Sequence, residues 1–273
     1  MNHQLLLRLA CATAIVASSD AATLFYADDF SGSDGSFNGA SAPEVNTLGG
    51  SYALESFGEQ QQLSGNSALL VRDPGGIAAG LRFGAAGDRY NWGTGSTAAT
   101  ILADGTLRIS FDYATSNATD NNSWIAFGFG TANSDPASSD SRTYNRDEAE
   151  YGLRIEGDRV ISFVNGGTDL SNVSYSSIGN NTFVPVTIDF GFTSFASGST
   201  VTSVVSINGT EYLNESFTLD STDDFRWEIG SSPFAGGDSF MDNLSIGTVP
   251  EPGTFAVLLV GAGATVLRRR RQR

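Results

Sequence analysis

The feature that most constrains the fold is an alternation of apolar and polar residues along much of the chain. Apolar side chains occupy every second position in 107–113 and 186–192, and three of the four alternate positions in 201–207 and 240–246. A period of two places these side chains on one face, so each segment is predicted to be a β-strand with one buried face. Gly, Asn, Asp and Ser separate the segments, which favours antiparallel strands joined by turns.

Two dipeptides predict tight hairpins between neighbouring strands. Asn208-Gly209 is the pair that type I′ turns favour, because both of its residues tolerate a positive φ. Gly157-Asp158 separates two further alternating segments in the same way. The segment 124–130 is apolar on both faces, which predicts a strand away from an exposed edge.

Together these segments predict an all-β fold. The 32 glycines argue against a helical body, and no segment between the two ends predicts an amphipathic helix of ten or more residues. The strands are expected to form a two-sheet antiparallel β-sandwich of the jelly-roll type, as one domain over 22–247. A domain of this length can bury a sufficient core without disulfides.

An apolar segment lies at each end of the chain. At the start, an apolar stretch followed by small residues predicts a signal peptide over 1–21. Near the other end, 254–267 is an uncharged run of fourteen residues, which predicts a short transmembrane helix. The positive-inside rule predicts a cytoplasmic tail, with the body outside, because five arginines follow: Arg268, Arg269, Arg270, Arg271 and Arg273.

The C-terminal segment 248–273 resembles the PEP-CTERM sorting signal of Gram-negative bacteria. It has that signal's motif, apolar helix and arginine cluster in order, and the motif residues are Val249, Pro250, Glu251, Pro252 and Gly253. The resemblance implies export through the secretion translocon and transient anchoring in the inner membrane by the C-terminal helix. An exosortase-like transpeptidase would then cut near Pro-Glu-Pro and deliver the protein to the cell surface or extracellular matrix.

The only histidine and the only cysteine, His3 and Cys11, both lie in the predicted signal peptide. The body therefore lacks the residues for a Ser-His-Asp triad, a cysteine nucleophile, a Cys/His zinc site or a disulfide. It contains nine arginines, no lysine and 28 acidic residues, a net charge of −19. Such a charge repels nucleic acid, which is not an expected partner, and suits divalent cations and neutral glycans.

The body has a second resemblance, to concanavalin A-like or LamG-like jelly rolls of bacterial surface proteins. Its segments follow their order: Asp28-Asp29-Phe30 after a short apolar strand, a central strand at 106–113, the apolar strand 124–130, a hairpin at 151–163 and a closing strand at 240–246. In that family the first and last strands run side by side.

If the first and last strands adjoin, four aspartates near their ends could converge. Calcium prefers carboxylate and carbonyl oxygens, so such a cluster predicts a structural calcium site, the one cofactor that we expect. Its predicted ligands are Asp28, Asp29, Asp238 and Asp242.

Three classes of function stay open. A noncatalytic surface or matrix protein would bind polysaccharide through aromatic rings that stack on sugars. The candidate rings include Trp124, and the predicted ligand-binding residues are Tyr90, Trp92 and Tyr144. Tyr90 and Trp92 lie in a Gly-rich loop, so they are expected to lie outside the core.

The alternative is a glycoside hydrolase or lyase on the same fold. It would need two carboxylates about 5–9 Å apart. The chain lacks the Glu-x-Asp-x-x-Glu motif of laminarinase-like jelly rolls, and the nearest set, Glu148 and Glu150 with Glu156, has a different spacing. No catalytic residue is therefore predicted. Ice binding, a label also attached to the C-terminal motif, is a minor alternative, because no regular Thr-x-Thr array runs through the body.

Overall fold

A computed structural model describes most of the predicted body. The described residues are 22–31, 35–36, 44–47, 53–55, 60–64, 67–71, 79–82, 92–119, 123–131, 150–164, 168–219, 225–233 and 238–250. Contacts group Thr23–Val249 into one unit. The predicted signal peptide and the tail after Pro250 lie outside the described residues. The predicted limits of the three segments, 1–21, 22–247 and 248–273, stay predictions.

The described residues form seventeen strands and one helix. In chain order these are β1 (Leu24–Asp28), β2 (Gly35–Ser36), β3 (Val45–Asn46), β4 (Ala53–Glu55), β5 (Gln60–Ser64), β6 (Ser67–Val71), β7 (Ala79–Arg82), α1 (Gly95–Asp104), β8 (Gly105–Thr115), β9 (Ser123–Thr131), β10 (Tyr151–Glu156), β11 (Arg159–Val164), β12 (Thr168–Ser174), β13 (Val184–Phe192), β14 (Thr200–Ile207), β15 (Thr210–Thr218), β16 (Phe225–Pro233) and β17 (Ser239–Pro250).

Within the described residues the strands form two sheets. The first sheet has ten strands in the order β15-β14-β13-β8-β17-β6-β5-β2, with β1 joined to β17 and β3. The second sheet has seven, in the order β12-β11-β10-β9-β16-β7-β4. The first and last strands pair antiparallel, with Tyr26 opposite Ile246. These findings confirm the predicted all-β fold of two antiparallel sheets.

The core lies between the sheets and follows the predicted alternation. On β8 the residues Leu107, Ile109, Phe111 and Tyr113 are each at most 2% exposed. The apolar residues of β13 lie opposite them in register, and the second sheet closes the core from the other side. Burial of one face of each strand is what the period of two requires.

Polar side chains on the outer face of the first sheet connect its central strands. Arg108 on β8 donates two hydrogen bonds to Asp189 on β13, each 2.6 Å long. On the other side of β8, the Oγ atoms of Ser110 and Ser245 are 2.7 Å apart. A shift of one residue along a strand would turn its apolar side chains from the core to the outer face. These polar pairs and the buried apolar face therefore support the same strand register.

The helix α1 corrects the expectation that no helix of ten residues lies between the ends. Its buried residues are Thr97, Ala98, Ile101 and Asp104, a spacing that places them on one face. The helix ends at Gly105, whose φ of 79° is left-handed and whose N–H donates to the carbonyl oxygen of Ile101. The sequence contains this C-cap signal, but Thr94 makes no side-chain cap and the apolar stripe is short.

The Asn208-Gly209 turn has the predicted conformation. Asn208 has a φ of 51° and Gly209 a φ of 75°, and the two residues join β14 to β15. Positive φ at both positions characterises a type I′ turn.

Four of the eight tyrosines should resist ionisation in the folded protein. Burial raises the pKa of Tyr26 to about 12 and raises the pKa of Tyr113, Tyr151 and Tyr175 as well. Because these folded-state pKa values exceed the unfolded value, the associated stability is present below pH ~10 and is lost as pH rises towards the folded values. We expect an alkaline titration, followed by phenolate absorbance, to ionise all eight tyrosines near pH ~10 in denaturant but to leave these four protonated at pH ~11 in the folded protein. Ionisation of all eight near pH ~10 without denaturant would contradict this burial.

Candidate functional site

The first candidate site is an acidic corner formed by Asp28, Asp29 and Glu44. Pairing of Ala27 with Val45 brings β3 against β1, and this places Glu44 beside the end of β1. Carboxylate oxygens of the three residues lie within 4.8 Å of one another. The Asp29 N–H donates to Oε2 of Glu44 at 3.1 Å.

Local hydrogen bonds orient the two aspartates of the corner. Oδ1 of Asp28 accepts from the N–H of Phe30 at 2.7 Å, and Oδ1 of Asp29 accepts from the N–H of Ser31 at 3.0 Å. Hydrogen bonding from Ser31 is the main reason that the pKa of Asp29 lies below its ordinary value. Asp29 is therefore a carboxylate at neutral pH, the form that binds a cation.

The other two predicted calcium ligands differ in their relation to this corner. Burial, followed by the charges of Asp112 and Asp29, raises the pKa of Asp242, so Asp242 lies within electrostatic reach of the corner. Asp238 lies near the start of β17, where its N–H donates to Ser116 Oγ at 2.6 Å. Asp28 pairs with Leu244, so Asp238 is roughly 20 Å away along the strand.

Trp92 is placed in the core, which corrects the expectation that it lies outside. Its side chain is 1% exposed. Its ring meets that of Phe25 edge to face, with centroids 5.8 Å apart. A ring buried in this way cannot stack on a polysaccharide. Tyr90 and Tyr144, the other predicted ligand-binding aromatics, lie outside the described residues.

A second candidate site is named the Trp124 site: Trp124, Arg154, Glu156 and Arg159. The sequence marks Trp124 as one of several candidate sugar-stacking rings, but it does not predict the grouping with the two arginines. These residues lie at one end of the second sheet, where the β10–β11 hairpin turns. Glu156 is fully buried. Its Oε1 pairs with Arg154, and its Oε2 is 2.9 Å from Nε of Arg159. Burial raises the pKa of Glu156, while both arginines act in the opposite direction.

Strand register places Trp124 beside this ion-pair cluster. Trp124 on β9 pairs with Glu156 on β10. The neighbouring residue Ile125 belongs to the core, so Trp124 lies on the opposite face of the strand. The guanidinium carbon of Arg154 is 5.8 Å from the centroid of the Trp124 ring, within the range of a cation–π contact.

The acidic residues considered for a glycosidase do not form a catalytic pair in the described part of the chain. Glu150 and Glu156 flank β10 at its two ends. Six residues of extended chain separate them by roughly 20 Å, beyond the 5–9 Å that glycosidase carboxylates need. The two arginines already bind the carboxylate of Glu156. Glu148 lies outside the described residues.

The C-terminal residues 248–272 match the family model described as the PEP-CTERM protein-sorting motif. The match confirms the sorting signal predicted at the C-terminus, which is the mark of an exported protein directed to the cell surface. The matched motif begins at Thr248, which is buried within β17.

Among the described residues, no helix combines the length and the apolar character that a membrane span needs. The predicted helix at 254–267 lies beyond those residues.

Two solved carbohydrate recognition domains have a similar fold. That of Emp46p, in its potassium-bound form, has a TM-score of 0.51 and 8% identity, covering 71% of this chain and 87% of that one. That of Emp47p has a TM-score of 0.50 and 8% identity, covering 83% of this chain and 97% of that one. These similarities confirm the lectin-like jelly-roll fold. No curated protein matches the chain in sequence.

Proposed function

We propose that this chain is a noncatalytic exported protein of the cell surface or extracellular matrix that binds polysaccharide and is processed by an exosortase-like transpeptidase. The observation that carries the proposal is the sorting motif at 248–272, which begins in the last strand of a sandwich with the fold of two carbohydrate recognition domains. The motif supports export to the cell surface or extracellular matrix, and the fold supports polysaccharide as the class of ligand.

The charge of the chain agrees with this role. The body has a net charge of −19 and no lysine, while five arginines follow the apolar segment 254–267. The arginines hold the tail on the cytoplasmic side until the chain is cut, and the body folds outside. An acidic surface without lysine suits a neutral glycan better than a polyanion.

The ligand half of the proposal is tested by affinity electrophoresis of the full-length chain in detergent. The gels contain laminarin, dextran, alginate or the extracellular polymer of the host. We expect native protein, but not a heat-unfolded sample, to be retarded in at least one gel. Equal mobility of the native protein with and without every polymer would contradict polysaccharide binding.

The acidic corner is proposed as a structural cation site of this protein. Asp29 and Glu44 supply exposed carboxylates, and the buried Asp28 lies beside them. The Emp46p domain exists in a potassium-bound and a metal-free form, so a protein of this fold can hold a cation. Calcium suits three clustered carboxylates, because it takes six to eight oxygen ligands.

We expect millimolar calcium to raise the melting temperature by roughly 2–4 °C and a chelator to reverse the shift, because an ion that binds only the folded state stabilises it. The variant Asp29→Asn/Glu44→Gln should lose the shift. Asp238→Asn is the matched control and should keep it, because Asp238 lies apart from the corner. An unchanged melting temperature of the native protein in calcium, or loss of the shift in the control alone, would refute the site.

A further inference from the structure

We propose that the Trp124 site is the subsite at which a neutral polysaccharide binds, with one hexose unit stacked on Trp124 and hydrogen-bonded by Arg154 and Arg159. This inference rests on the proposed function and adds the position of the binding surface and the class of sugar.

The side chains of the site lie on the face of the second sheet that is turned away from the core. Ile155 and Val160 belong to the core. The neighbouring residues Glu156 and Arg159 therefore lie on the other face, together with Arg154, two positions before Glu156. Trp124 joins them because it pairs with Glu156. Strand alternation thus gathers one ring and two guanidiniums at a single end of the sheet.

The buried carboxylate of Glu156 fixes both guanidiniums. Arg154 and Arg159 are each 26% exposed, whereas Glu156 is 0% exposed. The carboxylate is thus an internal anchor, and the outer parts of the two guanidiniums can reach a ligand. A preorganised guanidinium loses less side-chain entropy on binding than a mobile one. Glu156 is a positioning residue, because it acts on the ligand only through the arginines.

Trp124 supplies the apolar half of the recognition. Its ring is partly exposed, in contrast to the fully buried Trp92. A flat ring can contact the C–H face of a hexose, and the adjacent guanidiniums can donate to its hydroxyl oxygens. Because the Arg154 side chain is 26% exposed, the outer part of its guanidinium is open to solvent on this side.

The charges around the site favour an uncharged sugar. The two arginines face two carboxylates, Glu156 and Asp158, and Nε of Arg159 is 3.4 Å from Oδ1 of Asp158. The positive charges are therefore balanced locally. The body as a whole is strongly acidic, so a polyuronate or sulfated polymer would be repelled at long range. A neutral hexose polymer meets no such barrier.

The test compares Trp124→Ala with Phe183→Ala in the full-length chain, using laminarin and dextran as neutral probes and alginate as the acidic probe. Phe183 is the matched control, an aromatic residue that is 43% exposed and immediately precedes β13. We expect Trp124→Ala to weaken binding of a neutral probe about tenfold or more, since a tryptophan anchor often dominates a binding site. Phe183→Ala should bind as the native protein does.

A second readout covers the case in which Trp124→Ala does not fold. In Trp124→Phe, the change in tryptophan emission that a neutral probe causes in the native protein should disappear, because Trp124 is its source. Persistence of that change, or binding by Trp124→Ala equal to that of the native protein, would overturn the site and leave polysaccharide binding intact. Binding of alginate alone would overturn the sugar class. No binding of any probe or of the host polymer by the native protein would overturn the proposed function as well.

Discussion

The variant Arg154→Met/Arg159→Met should lose about 3–5 kcal/mol of unfolding free energy at pH 7, measured by urea denaturation. The physical reason is the position of Glu156, which is fully buried and bound by both guanidiniums. Without them its carboxylate would remain in a low-dielectric environment with no opposite charge. A charge in that situation costs far more than an exposed one.

A third substitution provides the control. Adding Glu156→Met should restore most of the lost stability, because a buried ion cluster can often be replaced by apolar residues at little cost. The stability difference between the native protein and the double variant should depend on pH. Its direction follows from Glu156, whose pKa is already raised in the native protein and should rise further in the double variant. The stability lost by the double variant relative to the native protein should be smallest below pH ~4.5. It should grow as the pH rises from the folded pKa of Glu156 in the native protein towards its higher folded pKa in the variant. A loss under about 1 kcal/mol at pH 7 would contradict the cluster.

Trp92→Ala should destabilise the fold by about 3–5 kcal/mol, the usual cost of removing a large aromatic side chain from a core. The ring is 1% exposed and packs edge to face on Phe25. Differential scanning calorimetry of the variant measures the loss. Phe183→Ala, at a position that is 43% exposed, should change stability far less.

The same variant shows whether Trp92 acts as a core residue or as a ligand-binding residue. The sequence places this residue in a Gly-rich loop, where it was expected to bind sugar. A Trp92→Ala protein with native stability but no polysaccharide binding would show that Trp92 binds the ligand and does not support the core.

Much of the fold could be predicted from the sequence because its signals are local. A period of two in β8, β13 and β14 encodes which face is buried, and Asn208-Gly209 encodes the turn between β14 and β15. Neither signal depends on distant residues. The helix α1 is an exception, because one buried stripe over ten residues is a weak local signal beside so many glycines.

The candidate sites could be predicted only in part because they depend on pairing between distant segments. Glu44 reaches Asp29 through the pairing of β1 with β3, which no local pattern announces. The Trp124 site likewise needs the register of β9 against β10. The predicted pairing of the first and last strands places Asp28 opposite Leu244 on β17. Asp238 lies six residues before Leu244, so the same pairing keeps it away from Asp28.

The last strand also joins the body to the sorting motif without a spacer. Thr248, the first residue of the matched motif, donates its backbone N–H to Thr23 at 2.8 Å. Its Oγ1 accepts from the Thr23 N–H at 3.0 Å and donates to Asp104. The first and last strands of the body therefore meet next to the motif, so a cut near Pro250 would leave the new C-terminus at a fixed strand end.

The most direct test of processing at the sorting motif is the intact mass of the protein recovered from the envelope and the culture medium of its host. We expect a mass that lacks the signal peptide and ends near 250–253, in the fraction that holds the extracellular polymer. A mass that retains the arginines at 268–273 would contradict it, because the tail would then be a permanent anchor and the matrix role would lose its main support.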